Sequence, residues 1–195
     1  AEIHFNMGLC AEKLFDYERA FREYTAAMKL RPNHLRTALG LGRYYQRRDL
    51  AQLAKDHLMK AVSLGIDDLP DEERIELAFA LSEANLKLDN TKDARMWLDK
   101  VLELAPANDK AVELQISLAE RGGDWAAVIR YKQARLDARS DQYERYALLL
   151  EVGDIYKEKM GNMHGAAAAY RDALAIDPNS KAAMIRLHDL FLKNG

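Results

Sequence analysis

The sequence predicts an all-α solenoid of antiparallel helix pairs, about five pairs followed by one more helix. Three observations predict it. Small residues recur at near-constant intervals, prolines close units instead of interrupting them, and apolar residues within a unit follow helical spacing. Only four prolines and ten glycines break 195 residues that are 49% hydrophobic. Such a chain favours helices over turn-rich β structure and over disorder.

The repeat is read first from small residues. Ala20 recurs as Ala54, then as Ala94, Val128 and Ala166, at spacings of 34, 40, 34 and 38. Gly8 recurs as Gly42 and Ala27 as Ala61, again by 34, and Pro32, Pro106 and Pro178 each close a unit. The six extra residues of the longest spacing fall in the acidic stretch from Ile66 to Glu72. Alanines seven apart share one helical face and let a neighbouring helix approach closely. Tyr24 lies between two of them on that side, and Pro32 cannot continue the helix. Asp16-Tyr17 and Asp124-Trp125 mark the turns inside two of the pairs. The units are therefore 1–33, 34–68, 73–108, 109–142 and 146–180, with a final helix over 181–195. Ala183, Met184, Leu187, Leu190 and Phe191 form the expected stripe of that helix. Met28, Met59, Met96 and Met184 sit at core spacing and are expected to pack. The chain starts at Ala1 and both ends fall inside helical patterns, which reads as a piece of a longer protein.

This pattern resembles the tetratricopeptide repeat family. Gly8, Ala20, Tyr24, Ala27 and Pro32 carry the resemblance in the first unit, and Leu41, Gly42, Tyr45, Ala54 and Ala61 in the second. Leu81, Ala94, Leu98 and Pro106 carry it in the third, and Gly153, Tyr156, Ala166, Tyr170, Ala173 and Pro178 in the fifth. The fourth unit is degenerate, with Val128, Lys132 and Arg135 where small or apolar residues are usual. The resemblance implies a right-handed superhelix in which the first helix of each pair lines a concave groove. It also implies that this groove takes an extended peptide or a helix from a partner protein.

Groove positions follow from that geometry. On the first helix of the second unit, Ala38, Leu41, Gly42 and Tyr45 make the packing face. Arg36, Leu39, Arg43 and Arg47 take the opposite side and are the expected groove residues. Arginines one turn apart suit carboxylates, which the guanidinium fork binds bidentately. Equivalent faces add Phe5 and Leu9 in the first unit, Phe79 and Glu83 in the third, and Leu150 and Asp154 in the fifth. Some family members grip an acidic chaperone tail with lysines, asparagines and an arginine on three consecutive first helices. Phe5, Leu9, Arg43, Glu76 and Ala80 stand at those places, so that mode is not expected.

Catalytic patterns are missing. His4, His34, His57, His164 and His188 are scattered, and Cys10 is the only cysteine, so no metal site is expected. Gly161-Asn162-Met163-His164-Gly165 lacks the ending of a phosphate-binding loop. The pairs Asp67-Asp68 and Glu72-Glu73 are expected in a solvated linker, away from any acid–base work. No cofactor is expected. With 29 basic and 31 acidic residues the chain lacks the basic footprint of a nucleic-acid binder. No apolar run is long enough to insert in a membrane. The reading is a non-catalytic scaffold for a protein or peptide partner, with self-association open to it. A docking module of a larger enzyme is the alternative, and an RNA-binding repeat comes third.

Overall fold

The computed structural model describes residues 1–192; the last three residues of the expected final helix lie outside the described residues. Among the described residues there are eleven α-helices and no strand. They are α1 (Glu2–Lys13), α2 (Tyr17–Leu30), α3 (Leu35–Arg47), α4 (Ala51–Ser63), α5 (Asp71–Lys87), α6 (Thr91–Leu104), α7 (Asp109–Arg121), α8 (Trp125–Ala138), α9 (Gln142–Glu158), α10 (Met163–Ile176) and α11 (Lys181–Leu192). They form two compact units, Ala1–Pro106 and Ala107–Gly195.

Within the first unit α1 packs on α2, α3 on α4 and α5 on α6, and the first helices α1, α3 and α5 also touch in succession. Within the second, α7 packs on α8, α9 on α10, and α10 on α11. The link inside each pair is a few residues long and forces an antiparallel return. One residue of each link takes the left-handed backbone conformation: Phe15, Asp49, Asp89, Gly123 and Gly161. Their spacings are 34, 40, 34 and 38, the same series as the small residues. Asp16, Asp124 and Asn162 then cap the returning helix by accepting from the backbone N–H three residues on. Tyr17 and Trp125, read from sequence as turn residues, are the first residues of α2 and α8.

The two long spacings have one structural outcome. α5 and α9 are 17 residues long, whereas α1, α3, α7 and α11 have 12 or 13. Each insertion adds about one turn to the front of a first helix. Before α5 the chain makes a left-handed step at Gly65 and a short 3-10 turn over Ile66–Asp68. Glu72 and Glu73, expected in a linker, lie instead in the first turn of α5. Three carboxylates there, with Asp71, favour the positive end of the helix dipole.

Core packing rests on small residues facing large ones. Ala27, Ala54, Ala61, Ala94, Val128, Ala166 and Ala173 are completely buried. A Cβ on Gly153 would stand 2.3 Å from the Tyr170 ring, one on Gly8 2.6 Å from Tyr24, and one on Gly42 2.6 Å from Leu58. The helices of each pair approach this closely only because those positions lack a side chain. Two expectations change. Met59, Met96 and Met184 are 40–49% exposed, on outward faces, while Met28 packs against a core cluster. In α11, Ala183, Leu187 and Leu190 meet the rest of the unit, while Met184 and Phe191 turn outward.

Candidate functional site

The first helices of the first unit place their non-packing sides together. A cleft of about 290 Å³ opens there, lined by Phe5 and Leu9 from α1, Tyr24 from α2, Arg36, Leu39, Gly40 and Arg43 from α3, and Glu73 and Glu76 from α5. Five of the ten sequence-derived groove residues thus share one concavity: Phe5, Leu9, Arg36, Leu39 and Arg43. Its floor is recessed. Leu39 is 3% and Phe5 8% exposed, and Leu9 packs on the same core cluster as Tyr24. α3 lies between α1 and α5, so its flanks are covered and Leu39 forms floor, not rim.

The rim is charged but internally matched. Arg36 reaches Glu73 at 3.5 Å and Arg43 reaches Glu76 at 2.8 Å. Arg47 stands outside the cleft; it pairs with Glu12 at 2.8 Å and lies 4.5 Å above the centre of the Tyr17 ring. Gln46 donates to Glu83, and Lys87 pairs with Asp49. The arginine face is therefore a ladder of ion pairs between neighbouring first helices, not a free basic patch. Each rung is partly exposed and contributes at most about 1 kcal/mol.

Tyr24 is the pivot of the cleft. It comes from α2, passes between Gly8 and Gly40, and donates its hydroxyl to Glu12 at 2.7 Å. Burial first, then the bond to Glu12 and its charge, holds this phenol far above the ordinary tyrosine range. It stays protonated and locked as a donor. Sequence reading overlooks Gly40. A signal existed: glycine inside a helix costs about 1 kcal/mol against alanine and so points to a close approach. Glu73 is overlooked as well, because the extra turn of α5 was read as linker.

In the second unit the corresponding side of α9 carries Leu150 and Asp154. Leu150 packs against the cluster of Ala166, Ala167, Tyr170 and Leu190. Asp154 accepts from the Tyr170 hydroxyl at 2.7 Å and from Arg186 Nε at 3.0 Å. Burial and Asp154 push the Tyr170 phenol up, and the bond to Asp154 does the same for Arg186. Phe79 is half-buried on α5 and does not line the cleft.

The histidines have local roles. His4 bonds Glu23 at 2.7 Å, and His34 bonds Thr37 and meets the Phe5 ring edge-on. His57 stacks on Tyr45, and its Nδ1 is buried without a partner. Among the described residues no cluster of three or more His, Cys, Asp or Glu could hold a metal. No helix there is long and apolar enough to cross a membrane.

Comparison with known proteins agrees with this geometry. Family models described as tetratricopeptide repeat match residues 1–34, 75–108 and 146–180. This chain belongs to the tetratricopeptide repeat family. No curated protein matches it. Among solved structures it is similar to MamA, at 21% identity and a TM-score of 0.62, covering 91% of each chain. It is similar to YrrB, described as a TPR protein with an unusual peptide-binding site, at 20% identity and a TM-score of 0.64, covering 93% of this chain and 88% of that one. A TPR repeats protein from Bacteroides fragilis NCTC 9343 covers 98% of both chains at 15% identity and a TM-score of 0.63. At these identities the likeness is one of fold.

Proposed function

We propose that this chain is a non-catalytic scaffold that holds an extended peptide of a partner protein in the cleft between α1, α3 and α5. The observation that carries the reading is the cleft itself: an apolar floor of Phe5, Leu9 and Leu39 under a rim of two arginine–glutamate pairs. A floor of that kind takes an apolar side chain, and paired charges at the rim can reopen to meet a peptide's polar groups. The likeness to YrrB, whose description names peptide binding, supports a peptide as ligand. Arg47, Phe79 and Glu83 extend the contact surface along the first unit.

Selection of peptides from a displayed random library, followed by amide chemical-shift mapping of the bound complex, tests this. Shifts are expected at Leu9, Arg36, Leu39 and Arg43, with affinity falling about tenfold or more in Leu9→Asp and Arg43→Glu. Selected peptides that shift no residue of the cleft, or that bind both variants unchanged, remove the proposal.

A further inference from the structure

The second unit holds a cleft of its own. It measures about 370 Å³ and is walled by Gln142, Tyr143 and Tyr146 of α9 and by Ile176 and Asp177 at the end of α10. The wall exists because of an insertion. Gln142 and Tyr143 belong to the extra first turn that makes α9 17 residues long. Tyr143 is 86% exposed, a large aromatic surface left open on a turn that most first helices of this chain lack.

Of the five residues that wall this cleft, Asp177 alone carries a charge. The carboxylate of Asp177 accepts from the backbone N–H of Asn179 at 3.1 Å, and no basic side chain among the described residues pairs with it. Asp177 is also the C-cap of α10, where the helix dipole presents its negative end. Eight of the eleven helices answer that end with a Lys or Arg in their own last turn: α1 to α5 and α7 to α9. α10 has none. The nearby Arg145 is committed elsewhere, to the carbonyls of Leu136 and Arg139. The Tyr146 hydroxyl is tied to Ser180, so that residue offers ring more than hydroxyl. Two phenol rings, an unmatched carboxylate and an unanswered helix C-terminus meet in one concavity.

We propose that this cleft is a second binding site, separate from the cleft of the first unit, and that it takes a cationic side chain, lysine or arginine, from a peptide segment. The aromatic faces attract the cation and its alkyl stem. Asp177 and the end of α10 supply the opposing charge.

The site is tested on the whole 195-residue chain by titration with the capped tripeptide acetyl-Gly-Lys-Gly-amide, its arginine counterpart and its norleucine isostere. Backbone amide shifts are the readout. The lysine and arginine peptides are expected to produce saturable shifts at Gln142–Tyr146 and Ile176–Asp177, with the norleucine peptide weaker by about fivefold or more. Asp177→Asn keeps an acceptor for the turn at Asn179 and is expected to weaken the lysine peptide by a similar factor; Tyr143→Leu is expected to do likewise. Equal binding of the norleucine peptide overturns the proposal without any variant. So does the absence of saturable shifts, or unchanged lysine binding in both variants.

Discussion

Tyr24 in the first unit and Tyr170 in the second perform the same structural task with different results. Each passes over a glycine of the first helix of its own pair, Gly8 or Gly153. Each donates its hydroxyl to a carboxylate on that helix, Glu12 or Asp154. Each carboxylate is then met by an arginine of the next first helix, Arg47 or Arg186. The difference lies sixteen residues after each tyrosine, where the first unit has Gly40 and the second has Arg186. Gly40 lets α3 close on the far side of the Tyr24 ring and lines a cleft. Arg186 puts a side chain at the equivalent place and bonds it to Asp154. One repeat position thus separates a tyrosine packed under a glycine at a cleft from one packed beside an arginine. The repeat fixes the scaffold, and departures from it make sites.

The largest expected effect breaks the shared part. Gly153→Ala places a Cβ 2.3 Å from the fully buried Tyr170 ring, and Gly8→Ala one 2.6 Å from Tyr24. Overpacking of this kind costs about 1–3 kcal/mol, partly offset by the better helix propensity of alanine. Denaturant titration should show both variants destabilised, Gly153→Ala more than Gly8→Ala. Equal or raised stability would mean that the rings shift freely.

The next test exchanges the differing part. Arg186→Gly removes a partly exposed ion pair and adds a helix glycine, at a cost of about 1–2 kcal/mol. Denaturant titration should show that loss; unchanged stability would mean that Asp154 needs no arginine. Gly40→Ala, whose Cβ would lie 2.6 Å from Tyr24, should reduce peptide affinity in the first unit while leaving the second unit's cationic site unchanged.

Acidification should separate the two units. His34 and His57, both in the first unit, have pKa values held below the ordinary histidine range, mainly by burial. The unfolded chain therefore takes up these protons before the folded one does. The stability they carry is present above the ordinary histidine pKa of about 6.5 and is lost as pH falls through it. Hydrogen exchange at about pH 5.5 against 7.5, corrected for intrinsic rates, should show reduced protection in Ala1–Pro106. His57→Phe should blunt the effect.

The smallest expected effect concerns the turns. Phe15 holds a left-handed φ of 61° where the second unit uses Gly123 and Gly161 at the matching places. Phe15→Gly should raise thermal stability of the first unit by roughly 0.5–1 kcal/mol, as relief of the strained conformation exceeds the added chain entropy. A lower melting temperature would show that the contact of Phe15 with Tyr17 matters more than the strain.

Much of the fold was legible because its signals are local and repeated. The alanine spacings, the closing prolines and the glycine–tyrosine pairs reflect contacts made within one unit or with the next, so periodicity reports them directly. The faces of single helices were legible too: Arg36, Arg43 and Leu39 do occupy one side of α3 and meet in one cleft. What lay opposite them was not. Glu73 and Glu76 come from an insertion-extended helix more than thirty residues away and neutralise the arginines that looked free in sequence. A charge pattern along one helix cannot report the helix beside it. Likewise, sequence placed Leu150 and Asp154 on one face of α9 but could not show that core packing and two hydrogen bonds already engage them.

By itself, the sequence determined the helix pairs, their order and the small residues that let them close, because backbone propensity and helical period act over a few turns. Only the tertiary structure decided which charges are spent on neighbours, which apolar residues sink into the floor, and where the two insertions open clefts. Those outcomes depend on distances between side chains remote in sequence, and no period along the chain encodes such a distance.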